Sequence, residues 1–234
     1  STTKGIMKKN LIISGGIFHP FSETSDTLSE ILDTLGYESE ITSDVEEGIK
    51  NINNFDLITF NALRWKMLNH EKYIPYLDEW QFSLSKNSRN TLDSYIRNGG
   101  SMVAFHTSAI CFDDWDDWSK LLGGKWVWDE SFHPPQDIVK VSPIENHFLN
   151  DNLNSFEIED EVYHNLYLEP ESKPFLLAKT RKTNEEHIVG WTYNYENGKV
   201  VYNALGHDSK SLLKPEMVNI IKKSVEWVSG ESNA

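Results

Sequence analysis

The sequence predicts an α/β fold in which a mostly parallel sheet is extended by antiparallel strands, and three observations carry that prediction. Short apolar runs at Asn10–Ser14, Phe55–Asn61 and Met102–Phe105 alternate with stretches of helical periodicity, as in βαβ units. Gly99-Gly100 ends one such helix and opens a strand at once, because glycine readily takes the left-handed conformation that stops a helix. After Gly124, strand-like runs at 137–142, 156–163, 174–180, 187–193 and 199–205 follow one another without long helices, which suits antiparallel pairing.

Taken in order, Asn10-Leu11-Ile12-Ile13-Ser14 reads as a buried first strand, and Gly15-Gly16 opens a loop through Phe18-His19-Pro20-Phe21. Ser25 or Asp26 is the expected cap of the next helix, whose apolar face is Leu28, Ile31, Leu32 and Leu35 and whose stop is Gly36. Tyr37–Ser43 and Phe55–Asn61 read as the second and third strands. Residues 62–82 are rich in Trp, Tyr and Leu without a clean period, and read as an insertion or lid-like loop flanking a cleft. Leu92, Tyr95 and Ile96 fall at helical spacing in a helix over 85–98, ahead of Met102–Phe105, an apolar run suited to a strand covered on both faces. His106 then lies at a strand's carboxyl end, where open α/β sheets place their ligands. Asp113, Asp114, Asp116 and Asp117 read as the solvated face of a helix that also contains Cys111 and stops at Gly123-Gly124; they lack the Gly and distal Glu of a calcium loop. Asn197-Gly198 marks a hairpin, and Pro215 opens a last amphipathic helix.

Composition narrows the function classes. The chain of 234 residues fits one domain, expected over 1–234, with Met7-Lys8-Lys9 reading as a natural start that sets Ser1–Ile6 apart. With 38% apolar and 12% aromatic residues it is globular in character, and its eight tryptophans are expected mainly in packing, with a sugar- or ring-binding cleft as the alternative use. A formal charge of −14 argues against nucleic acid and anionic membranes as partners. Cys111, the single cysteine, excludes an internal disulfide, no apolar run suits a membrane span and no signal peptide precedes the first strand, so the expectation is a cytoplasmic protein. Whether it is a homo-oligomer stays open.

Four stretches together, Ser14-Gly15-Gly16-Ile17-Phe18-His19-Pro20-Phe21, Gly99 through His106, Asp160-Glu161-Val162-Tyr163 and Gly206-His207-Asp208, resemble the ThuA-like, trehalose-utilisation family; Leu122-Gly123-Gly124 and the Trp191 strand add to the likeness. The resemblance implies a class I glutamine amidotransferase-like fold, a flavodoxin-like doubly wound sheet, and a role in sugar catabolism beside dehydrogenases that make 3-keto sugars. The chain departs from the amidotransferases themselves, since Phe105-His106-Thr107-Ser108 replaces their cysteine elbow. Glutamine hydrolysis is disfavoured, and a hydrolase using Ser108 or Cys111 is the weaker alternative, because no Gly-x-Ser-x-Gly turn and no thiolate-activating feature is present.

His19, His106 and His207 each follow an apolar run and open a turn, so a parallel sheet would bring them to one edge. His164 and His133 could approach from the second half, whereas His70, His147 and His187 read as structural. Imidazoles with a carboxylate suit zinc or another borderline divalent ion, with His19, His106 and His207 as candidate ligands. Without metal, His106 is the candidate base, with Glu161 or Asp208 as acid or orienting partner and Glu161 or Tyr163 as proton donor to a departing oxygen. His207 or a bound divalent ion is the candidate group that stabilises the enolate. His19, Phe21, His164 and Trp191 are the candidate substrate contacts. The leading expectation is acid/base chemistry on a keto sugar or oxidised glycoside, and its rival is a non-catalytic sugar-binding or regulatory module.

Overall fold

The structure, a computed structural model, describes residues 6–231, so most of the Ser1–Ile6 stretch lies outside the described residues. In chain order, β1 (Lys8–Gly16) leads to α1 (Phe21–Asp33), β2 (Tyr37–Thr42), α2 (Val45–Lys50) and β3 (Leu57–Leu63). A 3-10 turn (Glu71–Tyr76) and α3 (Leu77–Trp80) precede α4 (Lys86–Arg97) and β4 (Ser101–Phe105), followed by a 3-10 turn at His106–Ile110 and α5 (Asp117–Leu122). The second half runs β5 (Gly124–Lys125), β6 (Asp137–Pro143), β7 (Phe156–Asp160), β8 (Tyr167–Leu168), β9 (Lys173–Thr180), β10 (His187–Tyr195), β11 (Gly198–Asn203), α6 (Ser209–Leu212) and α7 (Pro215–Val228).

Nine strands form one mixed sheet in the order β2-β1-β3-β4-β11-β10-β9-β6-β7. The first five pair in parallel, in the spatial order of a flavodoxin-like sheet with β11 as the fifth strand. β3 and β4 are buried along their whole length, as strands with helices on both faces must be. α1 packs with α6 and α7, and α2 with α4, to supply those two layers. From β11 onward every pairing is antiparallel, and the alternating directions leave β7 running the same way as β4. The ends of β1, β3, β4, β11 and β7 therefore share one edge. At roughly 4.8 Å per strand a flat sheet would hold β7 about 19 Å from β11. Asp160 at the end of β7 nevertheless accepts a hydrogen bond from Gly206 N at 2.8 Å, so the antiparallel half curls back over the parallel half.

Several local expectations shift. α1 begins at Phe21 with Pro20 in the cap position, so Ser25 lies inside the helix instead of capping it. There its hydroxyl meets Ser14 Oγ at 2.6 Å and accepts from Asn61 Nδ2, tying α1 to β1 and β3 beneath the His19 loop. Tyr195 pairs with Gly198, which leaves Glu196-Asn197 as the two-residue hairpin loop, and a Cβ on Gly198 would run into the Ile96 carbonyl at the end of α4. Cys111 follows the 3-10 turn and only Asp117 of the acidic group lies within α5. Asp113 accepts from Lys66 N and Asp114 from Arg89, so two of the acids tie loops together where a solvated helix face was expected. No helix among the described residues is long and apolar enough to cross a membrane.

Candidate functional site

Four strand exits build the site. Leaving β1, Gly16 takes φ 131° and passes so close to the Leu63 carbonyl that any Cβ would collide with it; the loop thereby crosses the end of β3 and delivers His19. Leaving β4, His106 sits at φ 45°, a strained conformation for a side chain of this size, and is held by Tyr202 Oη donating to its carbonyl at 2.6 Å. Leaving β11, the turn at Gly206 presents His207. Leaving β7, Glu161 arrives from the opposite end of the sheet through the curl described above.

The three imidazoles surround one carboxylate oxygen. Glu161 Oε1 lies 3.1 Å from His106 Nε2, 3.0 Å from His207 Nδ1 and 3.7 Å from His19 Nε2. His133 Nδ1 is 3.5 Å from Oε2. His106 Nδ1 is 2.6 Å from the Ala204 carbonyl, and since a carbonyl only accepts, that nitrogen carries the hydrogen and Nε2 is directed at the cluster. His19 has both ring nitrogens buried without a hydrogen-bond partner, and His207 Nδ1, although close to Glu161, is not aligned for a hydrogen bond.

Burial alone would raise the Glu161 carboxyl, but the surrounding His106, His19 and His207 overcome it and hold the group well below the usual carboxylate range. The close Glu161 carboxylate raises His207 against the effect of burial. His19 is lowered, chiefly by burial, with the neighbouring imidazoles adding to the effect and Glu161 opposing it. The lowered carboxyl favours the anionic form of Glu161 and suits it to ligation more than to the proton donation the sequence suggested.

The ligand-capable atoms of His19, His106, Glu161 and His207 all lie within 4.8 Å of one another. Unsatisfied buried imidazole nitrogens around an anionic carboxylate, with one ring fixed from behind by a carbonyl, are the donor set and support that zinc or a similar divalent ion requires. The residues fit such an ion. Of these, His19, Glu161 and His207 line a cavity of about 380 Å³, while His106 is buried behind it; the further walls include Phe18, Trp65, Lys72, Tyr73, Trp126, Trp128, Phe132, His133 and Tyr163. The Tyr163 ring stacks on His106 at 4.5 Å, and burial raises its hydroxyl well above the ordinary tyrosine value, so it keeps its proton. A larger concavity of about 590 Å³ lies at the opposite, amino-terminal edge of the sheet, where Asn53, Asn87, Asn90 and Asn98 line it without an ionisable cluster. It lacks the chemistry of the first.

Other expected site residues are placed elsewhere. Asp208 turns away to cap α6, accepting from Ser211 N at 2.9 Å and from Gln136 Nε2 at 3.1 Å. The acid that braces the site is its unexpected counterpart Asp160, which is buried and accepts from Gly206 N, Ser211 Oγ and Glu161 N, joining the β7 exit to the His207 turn. Phe21 is buried under His19 in an apolar cluster with Ile17, Leu63 and Trp65, and does not line the cavity. Trp191 is buried with its Nε1 donating to the Leu122 carbonyl, packed on Gly123-Gly124, because its strand lies inside the sheet. His164 stacks on His187 at 3.6 Å outside the cavity. Ser108 Oγ donates to the Phe60 carbonyl, and burial pushes the Cys111 thiol up to about 12, so neither alternative nucleophile faces the cavity or is activated. The tryptophans at 65, 126 and 128 line the cleft where packing was the main expectation; their signal in the sequence was position in strand-end loops, away from any apolar period.

No curated protein matches this sequence. Among solved structures, a ThuA-like protein from Parabacteroides merdae superposes with a TM-score of 0.77 at 15% identity, covering 97% of this chain and 91% of that one. A ThuA-like protein from Bacteroides uniformis gives 0.72 at 18% identity, covering 97% and 94%. A cytoplasmic protein from Salmonella typhimurium LT2 gives 0.63 at 13% identity, covering 95% and 97%. At such identities these likenesses concern the fold. The family described as ThuA, trehalose utilisation, matches residues 9–228, almost the whole described chain, and the protein belongs to that family.

Proposed function

We propose that the protein is a cytoplasmic enzyme acting on a small carbohydrate, a keto sugar or oxidised glycoside, by proton transfer, with a divalent cation held by His19, His106, His207 and Glu161. The observation that carries this reading is the convergence of three imidazoles on the Glu161 carboxylate, beside a cavity lined by Glu161, His19 and His207; a module that only binds sugar has no need of such a cluster. When bound, the ion supplies positive charge that draws electron density from a substrate carbonyl. A neighbouring C–H is then acidic, and an oxygen on the next carbon becomes a leaving group.

With the cluster engaged in ligation, the base moves from His106 to His133. His133 lines the cavity, and its Nδ1 lies 2.8 Å from the Pro134 carbonyl, so Nδ1 carries the hydrogen and Nε2 is free to take the proton from carbon. Tyr163, a cavity-lining residue that retains its proton, gives one to the departing oxygen. The bonds balance: one C–H and one C–O bond break, a C=C bond forms, and one proton is taken up while another is released.

The test is elemental analysis of the purified protein combined with proton NMR of a 3-keto glycoside incubated with it in deuterium oxide. The expected result is about one equivalent of a divalent metal and deuterium entering next to the carbonyl. Absence of both metal and exchange across a panel of keto sugars overturns the reading.

A further inference from the structure

The cavity has two unlike ends. The polar cluster closes one end, while the mouth is lined by phenyl rings in contact with water: Phe18 is 55% exposed and Phe132 is 51% exposed. Phe18 is held in place. Its backbone sits at φ 72°, a costly conformation for a bulky aromatic, and its ring meets Tyr76 edge-on at 5.4 Å and Tyr73 at 6.3 Å. Behind it Trp65 and Trp128 stack at 6.3 Å. Exposed rings fixed at a pocket mouth mark a surface that something apolar covers in use.

Hydrogen-bonding groups away from the cluster sit on Lys72, Tyr73, His133, Tyr163, Trp126 and Trp128, and the two phenyl rings at the mouth offer none. The Trp65 indole N–H is already given to Asn69, and the buried Trp126 Nε1 is a single donor without a partner. The second ring of a disaccharide would bring hydroxyls against Phe18 and Phe132, where each loses water without a replacement. A flat apolar group would lose nothing and would cover the exposed rings.

From this asymmetry we infer that the substrate is a glycoside of an aromatic alcohol, with its oxidised sugar ring at the histidine–glutamate cluster and its aryl aglycone between Phe18 and Phe132. The inference rests on the carbohydrate reading above and narrows it to aryl glycosides.

Titration calorimetry of the metal-loaded protein with phenyl 3-keto-glucoside and with 3-keto-trehalose tests it. The aryl glycoside should bind on the order of tenfold more tightly, the difference that one well-stacked ring makes. Phe132→Ser should remove about that factor for the aryl ligand, change disaccharide binding by less than roughly twofold and leave metal content unaltered, while Phe132→Leu keeps most of the preference. Equal binding of the two ligands, or equal weakening of both by Phe132→Ser, overturns the aryl assignment and leaves the carbohydrate reading standing. Binding of neither ligand overturns both.

Discussion

Two groups of histidines each lie close together in this protein, and only one converges on a shielded carboxylate. His19, His106 and His207 surround Glu161, whose side chain is 13% exposed. His164 and His187 also have buried Nε2 atoms without hydrogen-bond partners, yet their rings lie face to face at 3.6 Å and 14°, and the carboxylate beside them, Glu185, is 78% exposed. Parallel rings cannot aim their nitrogens at a common point, and a solvated carboxylate does not anchor them. His164 instead pairs through its backbone with Phe132 and so holds the loop that carries Phe132 and His133 to the cavity. Proximity of histidines is thus a weaker sign of function than their convergence on a shielded anion.

The comparison breaks most readily at Glu161. Glu161→Ala removes the oxygen on which the three imidazoles converge, and metal content measured by elemental analysis should fall from about one equivalent to background; retention of metal would show that the histidines alone form the site. A smaller effect is expected one shell out. Asp160→Asn loses one of the acceptor oxygens that gather the Gly206, Ser211 and Glu161 donors, and should lower metal affinity or turnover roughly 10- to 100-fold while the circular dichroism spectrum is retained. An unchanged metal affinity in a chelator competition would reduce Asp160 to a packing residue.

The smallest effect belongs to the stacked pair. His164→Phe should leave metal content unchanged, and its signature is in stability against pH. Burial, and then the charge of His187, lower His164 below its ordinary value of 6.5, so the unfolded chain takes up a proton that the folded protein resists. The contribution of His164 is therefore fully present above about pH 6.5 and is lost as pH falls toward the folded value. Urea midpoints at pH 7.5 and 5.5 should differ less in His164→Phe than in the wild type; identical pH slopes would remove the pair as an acid-sensitive contact.

The legibility of the site differs residue by residue. His106 and His207 could be found because each directly follows an apolar run, and parallel strands put such positions on one edge whatever the loops do. Glu161 was indicated by resemblance, and its arrival there depends on the curl of the antiparallel strands, which no local pattern encodes. Asp208 and Asp160 are each one residue from a histidine or glutamate of the site, and nothing in their flanking residues says that one caps a helix outward while the other is buried between two turns. Trp191 reads like a cleft residue and is core, while Trp126 and Trp128 stand in a loop without a period and line the cleft.

By itself the sequence determined the order of strands and helices in the parallel half, the edge at which the histidines gather and three of the four groups of the cluster, because hydrophobic period and glycine stops act over a few neighbouring residues. Tertiary structure alone decided which carboxylate completes the cluster, which aromatic rings face the cavity and which histidines only stack on each other. Those choices are set by contacts such as Asp160 with Gly206 and His106 with Ala204, between residues far apart in the chain that meet only when the sheet has curled.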